Sequence, residues 1–125
     1  MVFLDTNPVI RLIAFGGRGN LSSKVRALLE SEDLYISPLV KLELYYLYEI
    51  KRFKENPEEV IKYLSKTIGL KFSGISFLDI IEEAARISWT RDPFDRLIVA
   101  EAKINGAQLV TADKNILENY KHAVW

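Results

Sequence analysis

Four carboxylates stand out by where they fall along the chain. Asp5 directly follows the apolar run Met1–Leu4, and Asp113 comes two residues after the run Gln108–Thr111. Where such runs are strands of an open parallel sheet, ligands bind beyond their carboxyl ends, so acids placed there can converge. Glu43 and Asp95 lie instead in helical patterns. At 100° per residue, Glu43 falls among Leu39, Leu47 and Ile50, and Asp95 among Ile98, Val99 and Ala102, while Arg96 and Lys103 point elsewhere. A carboxylate on an apolar stripe has to be paired, hydrogen-bonded, protonated or bound to a metal. With no Cys and a single His, His122, the chain offers oxygen ligands and little else. Such a set suits a hard cation, Mg²⁺ or Mn²⁺, which makes water nucleophilic and stabilises charge on a transferring phosphoryl group.

Each acid also has a purely structural reading. Asp5 fits an Asx-turn, Asp92 an N-cap ahead of Pro93, and Asp95 a capping-box acid answering Asp92. Asp113 fits the cap of a short following helix, and Glu43 a buried ion pair. These readings leave the residues' role open, and the metal-site reading needs the four acids to meet.

The elements that would position them follow from local signals. Strands are expected at Met1–Leu4, Leu34–Ile36, Leu70–Ile75 and Gln108–Thr111, with an edge strand at His122–Trp125. Asn7-Pro8, Ser37-Pro38, Asn56-Pro57 and Asp92-Pro93 each pair a capping residue with a proline suited to a first helical turn. They predict helices to about Phe15, Lys54, Lys66 and Gly106, with others from Ser22 or Ser23 to Glu32, Phe77 to Ser88 and Asn115 to Tyr120. Gly16-Gly17-Arg18-Gly19 lacks the context of a phosphate loop and reads as a mobile connection. Alternating strands and helices predict an α/β fold, a three-layer α/β/α sandwich with a mainly parallel central sheet, as one domain over residues 1–125.

Composition bounds the chemistry further. At 125 residues the chain buries roughly two thirds of its unfolded surface without disulfides. The lack of Cys excludes a thiolate nucleophile or a thiolate metal site, and a His-based triad has almost nothing to draw on. Lys and Arg total 17, as do Asp and Glu, so no global field attracts nucleic acid. With the four singled-out acids neutralised by metal, 17 basic residues face 13 acidic ones, a mildly basic surface suited to phosphate. No apolar run approaches the roughly 20 residues of a membrane span and no targeting segment is recognisable, so a soluble cytoplasmic protein is expected.

Four segments taken together are more specific than any one of them. FLDTNPVI around Asp5, SPLVKLEL around Glu43, RDPFDRLIVAEA around Asp95 and LVTAD ending at Asp113 resemble the PIN-domain ribonucleases. Among these the chain is similar to the VapC toxins of type II toxin–antitoxin systems, and the resemblance spans essentially its whole length. It implies a PIN-like parallel sheet and an acidic pocket holding Mg²⁺ or Mn²⁺ through Asp5, Glu43, Asp95 and Asp113. It further implies an accessory acid at Asp92 and carboxylate- or water-orienting roles for Thr6, Asn7 and Thr111. The implied reaction is endonucleolytic RNA hydrolysis, in which a metal-activated water attacks a phosphodiester and expels the 3′-oxygen. A homodimer and a VapB-type antitoxin are the implied partners.

Several other residues bear on partners. Arg11, Arg18, Arg91, Arg96 and Lys114 lie near the expected pocket in sequence and could hold RNA phosphates, or be ordinary solvated charge. Leu42, Tyr45, Tyr46 and Tyr48, with Leu44 and Phe53, make the Glu43 segment apolar nearly all round. That pattern fits burial between two elements, or an exposed patch for a second subunit or an antitoxin segment. A phosphoreceiver domain fits poorly, because no Asp occurs between Asp33 and Asp79, and a haloacid-dehalogenase-like phosphatase would want an acid where Asn7 stands. The alternatives left open are an RNA-processing PIN nuclease that is not a toxin and a non-catalytic PIN-like binding module.

Overall fold

A computed structural model describes residues 1–14 and 20–125; the expected Gly-rich connection, with Arg18, lies outside the described residues. Five strands form one sheet: β1 (Val2–Leu4), β2 (Leu34–Ile36), β3 (Lys71–Phe72), β4 (Gln108–Val110) and β5 (Ala123–Val124). They run in the order β3-β2-β1-β4-β5, and every pairing is parallel. The helices are α1 (Thr6–Ala14), α2 (Ser23–Ser31), α3 (Pro38–Glu49), α4 (Pro57–Ile68), α5 (Phe77–Ala84), α6 (Pro93–Ile104) and α7 (Lys114–Asn119). The result is the expected α/β/α architecture. Val2, Phe3 and Leu4 are all fully buried, as a central strand covered on both faces requires. None of the described helices is long and apolar enough to cross a membrane.

The proline signatures worked where a polar side chain really caps the helix. Ser37 accepts from the Leu39 N–H, Asn56 from Glu58 and Glu59, and Asp92 from Phe94 and Asp95. Asn7-Pro8 is the exception, because α1 begins at Thr6, two residues before Pro8. There the Asp5 carbonyl accepts from Val9 N–H and its carboxylate from Thr6 N–H, so Asp5 serves the helix start in place of Asn7.

Two helices are shorter than periodicity predicted. α3 stops at Glu49 instead of reaching Lys54: Lys51 takes a positive φ of 63°, and Arg52 and Phe53 turn their N–H groups back to the Leu47 carbonyl. That reversal buries Phe53, which an extended helix would have carried outward. α5 stops at Ala84, short of Ser88, where a tight turn folds Ile87 into the core. Arg96 donates to the freed carbonyls of Ala84 and Ala85 there. β3 is only Lys71–Phe72, both exposed at the sheet edge, and not the longer run Leu70–Ile75. At the other end of α6, Asn105 is the C-cap and Gly106, at φ 60°, makes the left-handed turn into β4.

Because all five strands are parallel, their carboxyl ends share one edge. The chain passes from β1 to β2 on one side and returns to β4 on the other, so the strand order reverses between β1 and β4. That switch point opens a crevice beyond the strand ends, and Asp5 and Thr111–Asp113 flank it.

Candidate active site

A cavity of about 370 Å³ occupies that crevice, lined by Asp5, Thr6, Asn7, Ile10, Glu43, Leu47, Asp95, Ala112 and Asp113. The four singled-out carboxylates thus come from four places: the end of β1, the middle of α3, the first turn of α6 and the start of α7. Two threonines tie three of them together. Thr111 Oγ1 donates to Asp5 Oδ2 at 2.7 Å and accepts from the Asp113 N–H at 3.0 Å, linking the ends of β1 and β4. Thr6, whose N–H donates to Asp5 Oδ1 at 2.8 Å, turns its hydroxyl to Glu43 Oε1.

The acids differ in what else they do. Asp113 caps α7, accepting from the Ile116 N–H at 3.1 Å, and lines the cavity as well. Asp92 caps α6 and is absent from the cavity lining, yet its charge is felt by Asp5, Glu43 and Asp95. The Asp92 N–H donates to Thr90 Oγ1 at 3.2 Å and not to the Asp95 carboxylate, so no capping box closes, and Asp95 lines the cavity.

Electrostatics follow from this crowding. Burial pushes Asp5 up, opposed by the hydrogen bonds from Thr111 and Thr6 and reinforced by repulsion from Asp113 and Asp92. Burial likewise raises Glu43, against the Thr6 hydrogen bond and with repulsion from Asp5 and Asp92. Asp95 is pushed up to about 7, first by burial and then by Asp92, Asp113, Asp5 and Glu43. Carboxylates that share a site resist ionising together unless positive charge joins them.

The family profile of the PIN domain matches residues 2–122. The chain belongs to the PIN-domain family. Among solved structures, this PIN domain is similar to a chain of a toxin–antitoxin complex from Klebsiella pneumoniae, with a TM-score of 0.69 and 22% identity. That match covers 100% of this chain and 97% of the other. It is also similar to a chain of VapBC2 from Rickettsia felis bound to a DNA fragment from their promoter, with a TM-score of 0.69 and 19% identity. There the match covers 99% of this chain and 96% of the other. No curated protein matches it in sequence.

Not every residue expected near the pocket of this PIN domain is there. Asn7 lines it and accepts from Arg11 Nε at 2.9 Å, which holds Arg11 at the rim. Lys114 is exposed beside Asp113. Arg91 and Arg96, however, line a separate, largely apolar hollow with Ile81, Ala84, Ala85, Pro93 and Leu97. Arg96 is engaged in ending α5, so a tertiary contact, and not nearness in sequence, fixes where it points. The sequence reading missed the apolar wall, Ile10 and Leu47. Both stand one helical turn after a polar lining residue, Thr6 and Glu43, at the i, i+4 spacing that could have found them.

The α3 surface also separates the two readings of its tyrosines. Leu42 and Tyr46 are 55% and 56% exposed, and Tyr48 and Ile50 are exposed too, so burial within the domain does not account for them. Leu42, Tyr46 and Ile50 succeed one another at i, i+4 spacing and make a continuous apolar stripe. Tyr45 does not belong to it: half-buried, it donates to Glu58 Oε2 of α4 at 3.2 Å.

Proposed function

We propose that this PIN domain is a divalent-metal-dependent endoribonuclease acting in the cytoplasm as the toxin of a VapBC-type pair. The observation that carries the reading is the meeting of Asp5, Glu43, Asp95 and Asp113 in one cavity at the switch point of a PIN fold. PIN domains are generally nucleases, and two solved structures similar to this fold belong to toxin–antitoxin assemblies.

The donor set fits Mg²⁺ or Mn²⁺. It consists of carboxylate and hydroxyl oxygens, and a cation would offset both the burial and the added repulsion from neighbouring acids that raise Asp95 to about 7. Among the described residues no three His, Cys, Asp or Glu side chains form a ready-made metal cage. A hydrated cation would bind one or two of the cavity's carboxylates directly and the others through water. Asp5, Glu43, Asp95 and Asp113 would hold it, and when bound it would activate water and stabilise charge on the phosphodiester. Thr111 and Thr6 position Asp5 and Glu43 by direct hydrogen bonds, so neither carboxylate has to be ordered when substrate arrives. Ile10 and Leu47 wall one side and limit water there.

The α3 stripe of Leu42, Tyr46 and Ile50, with Tyr48, is the surface we assign to a second copy or to the antitoxin. A protein that stays monomeric and that no co-expressed antitoxin neutralises would remove this assignment.

Expression of the wild type and of Asp5→Asn in a bacterial host, with growth and RNA integrity followed together, tests the function. The wild type is expected to arrest growth as RNA is cut, and the variant to do neither. Pure wild type that cuts no RNA with Mg²⁺ or Mn²⁺ would refute the nuclease. Cutting without growth arrest would leave an RNA-processing enzyme.

A further inference from the structure

One aromatic side chain at the carboxyl edge of the sheet has no part in the cavity just described. Trp125 follows β5, and the β4–β5 register, which pairs Val110 with Val124, sets it level with Thr111. The Thr111 N–H donates to the Val124 carbonyl at 3.0 Å, so Trp125 is one strand spacing from the threonine that holds Asp5. The residue remains 36% exposed. The Arg11 guanidinium lies over the indole, 5.0 Å from the ring centroid. The same guanidinium donates to Asn7 Oδ1 at 2.9 Å and to the Asn20 carbonyl at 3.2 Å. A cation and an aromatic surface are thereby fixed to each other and to a residue of the cavity wall.

We infer that Arg11 and Trp125 form a platform that takes an unpaired nucleobase and its phosphate from single-stranded RNA beside the acidic cavity. The inference rests on the ribonuclease reading and adds a binding site to it. An acidic cavity repels a polyanion, so a strand has to be gripped by cationic and aromatic groups at the rim. Base stacking on an aromatic side chain, assisted by an arginine, is a sequence-tolerant grip of that kind. It demands a free base face, which a nucleotide inside a duplex does not offer. Trp125 supplies the stacking surface, and Arg11, pre-oriented by Asn7, supplies charge for the phosphate.

The test uses the full chain carrying Trp89→Phe, which leaves Trp125 as its only indole. It is titrated in EDTA with a single-stranded oligouridylate, and tryptophan emission and affinity are read together. Emission is expected to fall as the oligomer binds. In the wild-type background, Trp125→Ala is expected to weaken binding roughly five- to hundredfold, and Trp125→Phe by no more than about threefold. Circular dichroism of each variant checks the fold, and the quenching arm stands even if Trp125→Ala misfolds. No binding, binding without quenching, unchanged affinity in a folded Trp125→Ala, or equal affinity for duplex RNA would each overturn the platform. Cleavage takes no part in the EDTA titration. The expected binding without cleavage in Mg²⁺ or Mn²⁺ would therefore fail the nuclease alone, and cleavage without the binding pattern would fail the platform alone.

Discussion

Asp95 and Glu101 sit on the same helix, α6, six residues apart, about 9 Å along its axis and about 240° round it. Both are carboxylates withdrawn from solvent, yet their surroundings have little in common. Asp95 opens on a cavity shared with three other acids, and among the described residues no hydrogen bond reaches its carboxylate. Glu101 is 1% exposed, its Oε1 accepts from the Ser73 hydroxyl at 2.5 Å, and its Oε2 has no partner. Burial by itself therefore does not separate the two acids. What sets Asp95 apart is convergence: three more carboxylates, from three other elements, are aimed at the same space.

The sharpest way to break the comparison is to neutralise each acid in turn. Asp95→Asn is expected to lower metal-dependent RNA cleavage on the order of 100-fold or more, since a lost cation ligand removes several kcal/mol of transition-state stabilisation. Glu101→Gln is expected to leave the rate within about twofold in a folded protein. A rate loss shared equally by the two variants would erase the distinction.

A smaller effect is expected in stability. Ser73→Ala removes the one hydroxyl that serves Glu101, and leaving a buried acceptor unserved costs about 1–3 kcal/mol. Urea denaturation measures it. Glu101→Met, which removes the buried polar group altogether, is expected to be near neutral or stabilising. A strongly destabilised Glu101→Met would mean that the carboxylate holds α6 to Ser73 by more than this one bond.

The smallest effect belongs to pH. The Asp95 carboxyl rises from an ordinary value of 3.8 to about 7 in the fold, so between those values the folded state binds more protons than the unfolded chain. Its contribution to stability is fully present below about pH 4 and is lost as pH rises through about 7. Burial is the main cause, and Asp92, Asp113, Asp5 and Glu43, all of the same sign, add to it. The metal-free protein is expected to melt a few degrees lower at pH 8 than at pH 5.5. Mg²⁺ or Mn²⁺ is expected to remove the difference, and Asp95→Asn to reduce it, since Asp5 and Glu43 are raised as well. A melting temperature that climbs over this range would show that Asp95 is not under the repulsion described.

The sequence already determined a good deal of this. Strand and helix order followed from apolar runs and from capping residues placed before prolines, because both signals act within a few residues. The same local logic placed Asp5 and Asp113 beyond strand ends, and Glu43 and Asp95 on apolar helix faces. What periodicity misjudged were the ends of α3 and α5, where the chain turns back so that Phe53 and Ile87 can be buried. Only the tertiary structure decided which charges meet. Asp5 and Asp113 are 108 residues apart in the chain, and they share a cavity because β1 and β4 pair side by side with Thr111 between the acids. Arg96 is next to Asp95 in sequence, yet the carbonyls that end α5 draw it away from the acids. Trp125, which no local pattern singled out, comes to lie by Arg11 only because β5 closes the edge of a parallel sheet. Capping and periodicity are short-range forces written into neighbouring residues, whereas the convergence of like charges depends on strand order, which only packing of the whole chain selects.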